Sequence, residues 1–181
     1  MWHPIGHFKT ITEHRNLVMR YCSRLGLYKQ GLLHDLSKYG PTEFLRGAKF
    51  YMGDRSPNDA ERRQTGITLA WLHHKGRNKH HLEYWTDYRI QEDGSVRYEG
   101  CPIPIRYIAE SFCDRIAASR IYLKDKYTDA APYQYYSRSK TRILIHPDSG
   151  KELERMLEIL KDEGEDKAIA YVRKRIRQSV Y

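Results

Sequence analysis

Residues 104–124 read PIRYIAESFCDRIAASRIYLK. Ile105, Ile108, Phe112, Ile116 and Ala117 fall on one face at the three- and four-residue spacing of a helix. Pro104 suits the head of that helix, because proline there lacks only an N–H that would have no partner anyway. The stretch predicts one long, largely buried helix, and it carries an anomaly. Asp114 sits in its middle with Glu110 one turn before it, and a buried carboxylate is costly unless something pairs with it.

The same period runs outward in both directions. Upstream, Thr12 is expected to cap a first helix with Leu17, Val18, Tyr21 and Leu25 on one face, ended by Gly26. A short helix is expected over 28–38, stopped by Tyr39-Gly40-Pro41. Thr42 is expected to cap a third, carrying Phe44, Leu45, Ala48 and Tyr51. Ser56 before Pro57 is an N-cap with proline at the first helical position, opening a helix to His74 that buries Ile67, Ala70 and Trp71. Residues 75–79 form a basic turn. Residues 89–104 read as irregular, with room for a small hairpin at Asp93-Gly94. Downstream, 125–148 is Tyr-rich and broken by Pro132 and Pro147. From about Ser149 two amphipathic helices follow, split near Gly164, with Leu153, Met156, Leu157 and Leu160 on the first and Ile169, Val172 and Ile176 on the second. The fold class is all-α: a helical core over 1–126 and a helical extension over 127–181 packed on it as one domain, since so short a tail makes no core alone.

Composition narrows the classes. Hydrophobic residues make up 40% of the 181, which argues against disorder. No apolar run reaches the ~18 to 20 residues of a membrane span. Residues 1–10 do not read as a signal peptide. Cys22, Cys101 and Cys113 form no CxxC, so free thiols in a reducing cytoplasm are expected. A net charge of +9 permits nucleic acid, an anionic surface or a phosphorylated small molecule as partner, without choosing among them. Gly-rich phosphate loops, GxGxxG and GxSxG are absent. The tail bears Lys167, Arg173, Lys174, Arg175 and Arg177, but a solvated helix face explains these better than nucleic acid does. Tyr133, Tyr135 and Tyr136 could stack bases, and packing around a pocket or interface explains them equally well.

Six of the nine histidines gather in a few places: His14, His34 beside Asp35, the pair His73-His74 and the pair His80-His81. Each lies on or next to a predicted helix. Taken singly, His14 reads as an ordinary capped or core histidine, and Asp114 as a partner of Arg115 or Arg120. Together they read as a metal site, because buried imidazoles and carboxylates from several helices need hydrogen bonds or an ion. A mixed nitrogen and oxygen set without thiolates suits Fe, Mn, Zn or Ni and argues against a structural zinc.

His14, then Leu32-Leu33-His34-Asp35-Leu36-Ser37-Lys38, then Asp114 resembles the HD superfamily of metal-dependent phosphohydrolases over about residues 10–124. Longer segments (His34 to Pro41, Ala70 to Trp85, Cys113 to Ala118) look like a small bacterial family of unknown function. The superfamily resemblance implies an HD-domain-like helical bundle with a C-terminal extension. It implies that His14, His34, Asp35 and Asp114 bind a first divalent transition metal. It also implies that histidines among His73, His74, His80 and His81 add a second ion where two are held. The two pairs lie closer together than the superfamily usually spaces separate ligands, and which of the four ligate stays open. The Gly-Tyr-Pro signature of cyclic-dinucleotide phosphodiesterases is missing.

The expected activity is hydrolysis of a nucleotide or other small phosphorylated compound. Asp35 would ligate and help take a proton from water. Glu110 is a candidate base, or a partner behind a ligand. Lys38, Lys75, Arg77 and Lys79 would face an anionic substrate. A di-iron, O₂-using oxygenase on the same scaffold and a non-catalytic metal-stabilised binding module are the alternatives.

Overall fold

The computed structural model describes residues 2–179. The chain is 71% helical, and among the described residues it forms nine α-helices and one two-stranded hairpin. The all-α expectation holds apart from that hairpin.

Helix α1, Pro4–Leu25, starts a full two turns before Thr12. Pro4 in its first turn supplies the start, so Thr12 is no cap and instead shares a 3.0 Å hydrogen bond with the Tyr39 hydroxyl. Gly26 ends it in the left-handed conformation at φ 80°. The helix expected over 28–38 is two pieces. Helix α2, Tyr28–Leu33, stops at His34, whose ψ of 127° is extended. Asp35 then turns left-handed at φ 54°, and a 3₁₀ turn, Leu36–Tyr39, follows. Aspartate is one of the few residues that tolerates that conformation, at a cost of about 1 kcal/mol. The His34-Asp35 doublet therefore sits on a break. Both residues are buried, while Leu32 and Leu33 before them are half-exposed.

Helix α3, Pro41–Phe50, begins on Pro41 after Gly40, which leaves Thr42 inside its first turn and exposed. Ser56 does cap α4, Pro57–Thr65, accepting from the Asn58 N–H at 3.3 Å. The helix does not reach His74. Gly66 ends it at φ 79°, Ile67 is exposed, and Thr68 starts α5, Leu69–Lys75, by accepting from the Trp71 N–H at 3.2 Å. The strands β1, Thr86–Ile90, and β2, Val96–Gly100, are antiparallel with Tyr88 opposite Tyr98. Gly94 takes φ 78° in the connecting turn.

Helix α6, Ile105–Leu123, follows Pro104 as read from the sequence. The Tyr-rich segment holds a further helix, α7, Ala131–Ser139, with Pro132 in its first turn. Helices α8, Pro147–Glu163, and α9, Glu165–Gln178, are separated by Gly164 at φ 85°. Val18 and Cys22 of α1, Phe112 and Ile116 of α6, Leu153 and Leu157 of α8 and Val172 of α9 belong to one apolar cluster. No helix among the described residues is long and apolar enough to cross a membrane.

Candidate metal centre

Helices α1 and α6, the break after α2, and the turn after α5 enclose a polar interior beside the apolar cluster. His14 of α1 places Nε2 2.9 Å from Oδ1 of Asp114 on α6. His34 brings its Nε2 to 3.4 Å from that of His14 and 3.6 Å from Asp114 Oδ1. The backbone break sets Asp35 Oδ2 3.3 Å from His34 Nε2 and 3.7 Å from His14 Nε2.

The other oxygen of Asp35 faces a second set. Oδ1 lies 3.2 Å from His74 Nε2 and 3.4 Å from His80 Nε2. His81 completes this group, whose ligand atoms all lie within 4.8 Å of one another. The short spacing between the two histidine pairs is resolved by the turn. The Arg77 and Asn78 amides both donate to the His74 carbonyl, and the chain folds back to carry His80 and His81 beside His74.

Four atoms of this interior are buried without a partner, Oδ1 of Asp35 and the Nε2 of His74, His80 and His81, while Asp35 Oδ2 is met by Lys38. Asp35 Oδ1 lies within 3.5 Å of the His74 and His80 Nε2 atoms, and the four converge on one point. An unmet buried polar atom costs about 1–3 kcal/mol, so four together are an unusual concentration in a native interior. A divalent ion would meet that need with the donor types present, and the residues fit one.

A ring of carboxylates stands behind the histidines. Glu110 Oε1 accepts from His34 Nδ1 at 3.0 Å and from His80 Nδ1 at 3.1 Å, while Gln30 donates to Oε2 at 2.7 Å. Glu43 accepts from His73 and His74 through their Nδ1 atoms, each at 2.7 Å. Holding the Nδ1 proton fixes the tautomer and leaves Nε2 as the lone-pair nitrogen, the usual arrangement behind a metal-bound histidine.

The electrostatics follow from the mixture. Burial alone would raise Asp35, but His34, Lys38 and His74 outweigh it and hold the carboxyl well below its usual range. Burial likewise opposes, and the close contact with His14 together with the nearby His34 overcomes, to keep Asp114 low. Glu110 is held at about 2, against its burial, by bonds from His34 and His80. Despite burial, His34 is raised by Asp35 and the neighbouring carboxylates, and His74 by Asp35 and Glu43. Burial and then His80 and His74 push His81 down.

The remaining sequence candidates divide. Lys38 reaches Asp35 Oδ2 at 2.6 Å. His73 stays half-buried on Glu43 and joins neither group. Arg77 is exposed and bends back to the His73 carbonyl at 3.4 Å, and Lys79 lies over the Tyr84 and Tyr107 rings at 5.9 and 5.7 Å. Lys75 is half-buried at the end of α5. Glu110 has both oxygens engaged behind the histidines. Glu43 escaped sequence reading, because a glutamate in the first turn of a helix is ordinary and only the fold sets it against His73 and His74.

Comparison with curated proteins and with solved structures finds no match. Residues 3–159 match a family described as a family of unknown function (DUF5662), and the chain belongs to that family.

Proposed function

We propose that the protein is a metal-dependent hydrolase acting on a nucleotide or other small phosphorylated compound, in which Asp35 would contribute to holding each of two divalent ions. The observation that carries this is the division of Asp35: Oδ2 faces His14 and His34, and Oδ1 faces His74 and His80. On this reading His14, His34, Asp35 and Asp114 would hold one ion, and Asp35, His74, His80 and His81 would hold the other. The resemblance to the HD superfamily supplies the expectation of phosphoester chemistry.

Divalent ions in such a site supply water activation near neutral pH and Lewis acidity toward a phosphoryl oxygen. The chain's own groups do the rest. Glu110 and Glu43 hold the Nδ1 protons so that each Nε2 faces inward. Lys38 carries a fixed positive charge beside Asp35 and contacts the anionic substrate.

The test is metal analysis of the purified full-length chain together with hydrolysis of a panel of nucleotides and phosphoesters, for wild type and Asp35→Ala. Two ions per chain, with loss of both ions and activity in the variant, is expected. Two irons with a visible absorbance band and O₂ consumption would favour the oxygenase chemistry that the same residues allow. Two ions without turnover of any substrate would favour a binding module.

A further inference from the structure

A cavity of about 50 Å³ lies between α1, α3, α4 and the end of α6, lined by His7, Thr10, Lys38, Glu43, Asn58 and Tyr122 among others. It touches the candidate metal centre through two residues. Lys38 pairs with Asp35, and Glu43 holds His74. Space of that size admits about four waters, or one phosphoryl-sized group, and is too small for a nucleoside.

Its lining is rich in donors. Glu43 is the one carboxylate among the lining residues, and both its oxygens already accept from His73 and His74. Lys38 has an ammonium with three donors and a single ion-pair partner among the described contacts. Asn58, in the first turn of α4, lines the same space and brings a side-chain amide to it. His7 is 5% exposed, and its buried Nδ1 has no partner. Burial, and secondarily Lys38, lowers His7 to about 4, so the ring is neutral and has one N–H to offer. The position is built for that ring. At Gly47 a Cβ would stand 2.1 Å from His7 Nε2, so only glycine there leaves the ring its place.

We infer that this cavity is an oxyanion pocket that seats one phosphoryl group of the substrate between Lys38, His7 and Asn58, next to the ions. The inference rests on the hydrolase reading for its substrate, but the pocket belongs to the chain and does not need the ions. It limits the substrate to one whose phosphoryl group is terminal and small enough to enter, with the remainder of the molecule outside.

The test uses inorganic phosphate as probe and the full chain, both metal-loaded and chelator-treated, read by calorimetry. Wild type is expected to bind phosphate in both states. His7→Phe keeps an aromatic ring against Phe44 and Tyr51 but removes Nδ1, and Asn58→Leu removes an amide donor. Each is expected to weaken phosphate binding by about tenfold, the loss of one hydrogen bond to a charged group. The number of ions bound should not change in either variant. Phosphate binding equal to wild type in both variants would overturn the pocket, as would binding seen only when metal is present. A chain that takes up no metal but binds phosphate through His7 and Asn58 would sink the two-ion reading and leave the pocket standing.

Discussion

Helices α1 and α6 share two interiors of opposite kind. Val18 and Cys22 of α1 and Phe112 and Ile116 of α6 are fully buried in the apolar cluster with α8 and α9. On neighbouring positions of the same two helices, His14, Glu110 and Asp114 face the polar interior. The apolar side is complete as it stands, since every side chain there gains by leaving water. The polar side holds four buried atoms without partners and a cluster of opposed charges. One interior makes the fold, and the other has buried donors that a bound ion would satisfy. The contrast predicts that metal will act strongly on one and leave the other alone.

Metal removal should have the largest effect. A ligand present at a thousand times its dissociation constant stabilises by about 4 kcal/mol, so two ions contribute up to about 8 kcal/mol. Denaturation of the loaded chain, with and without chelator, should show a loss on that scale. In Asp35→Ala the chelator should have no effect, because that carboxylate serves both groups. A variant still stabilised by metal would mean that Asp35 does not bridge.

Next is the apolar side. Phe112 is fully buried, and Phe112→Ala should cost about 3–5 kcal/mol by leaving a cavity. The ion count of the folded variant should match wild type. If ions are lost while far-ultraviolet circular dichroism is unchanged, the two interiors are coupled more tightly than their contacts suggest.

That division also explains what the sequence disclosed. Helix α6 was legible in both its roles, because Pro104 and a steady period fix its span while Glu110 and Asp114 interrupt the apolar pattern. The doublet His34-Asp35 was legible as chemistry but not as backbone. Nothing in Leu32-Leu33-His34-Asp35-Leu36 announces a left-handed aspartate, and the apolar pair before the doublet is half-exposed. The cap at Ser56-Pro57 was read correctly, yet Gly66 ended the helix early because a glycine at φ 79° closes it cheaply. His80 and His81 were visible as candidates, but their meeting with His74 depends on a turn bonded to the His74 carbonyl. His7 and Glu43 were not visible, since their roles arise only from what the fold sets against them.

Glu110 tests the polar side without metal. Its carboxyl is held at about 2 in the folded chain, against 4.5 ordinarily. A depressed carboxylate stabilises the fold above the unfolded value and loses that contribution as pH falls from 4.5 toward 2. The gap amounts to about 3 kcal/mol. In chelator, wild type should lose stability steeply across that window. Glu110→Gln should be less stable by up to about 3 kcal/mol at neutral pH and flatter between pH 4.5 and 2. A variant with the same acid profile as wild type would show that the bonds from His34 and His80 do not hold the charge.

The smallest effect belongs to the seam where the tail meets the shared helices. Glu165, at the start of α9, accepts from Tyr21 at 2.7 Å and from Arg120 at 2.9 Å, and pairs with Arg24 as well. One carboxylate thus ties α9 to both α1 and α6. The arginines are more than a third exposed, so solvent screens much of that attraction. The Tyr21 bond is better shielded, and an ordinary hydrogen bond is worth about 1 kcal/mol. Glu165→Ala should therefore cost about 1–2 kcal/mol in urea denaturation and leave the ion count unchanged. Loss of metal in this variant would mean that the tail helps hold α1 and α6 at the separation the polar interior requires, so that the extension serves the site as well as the core.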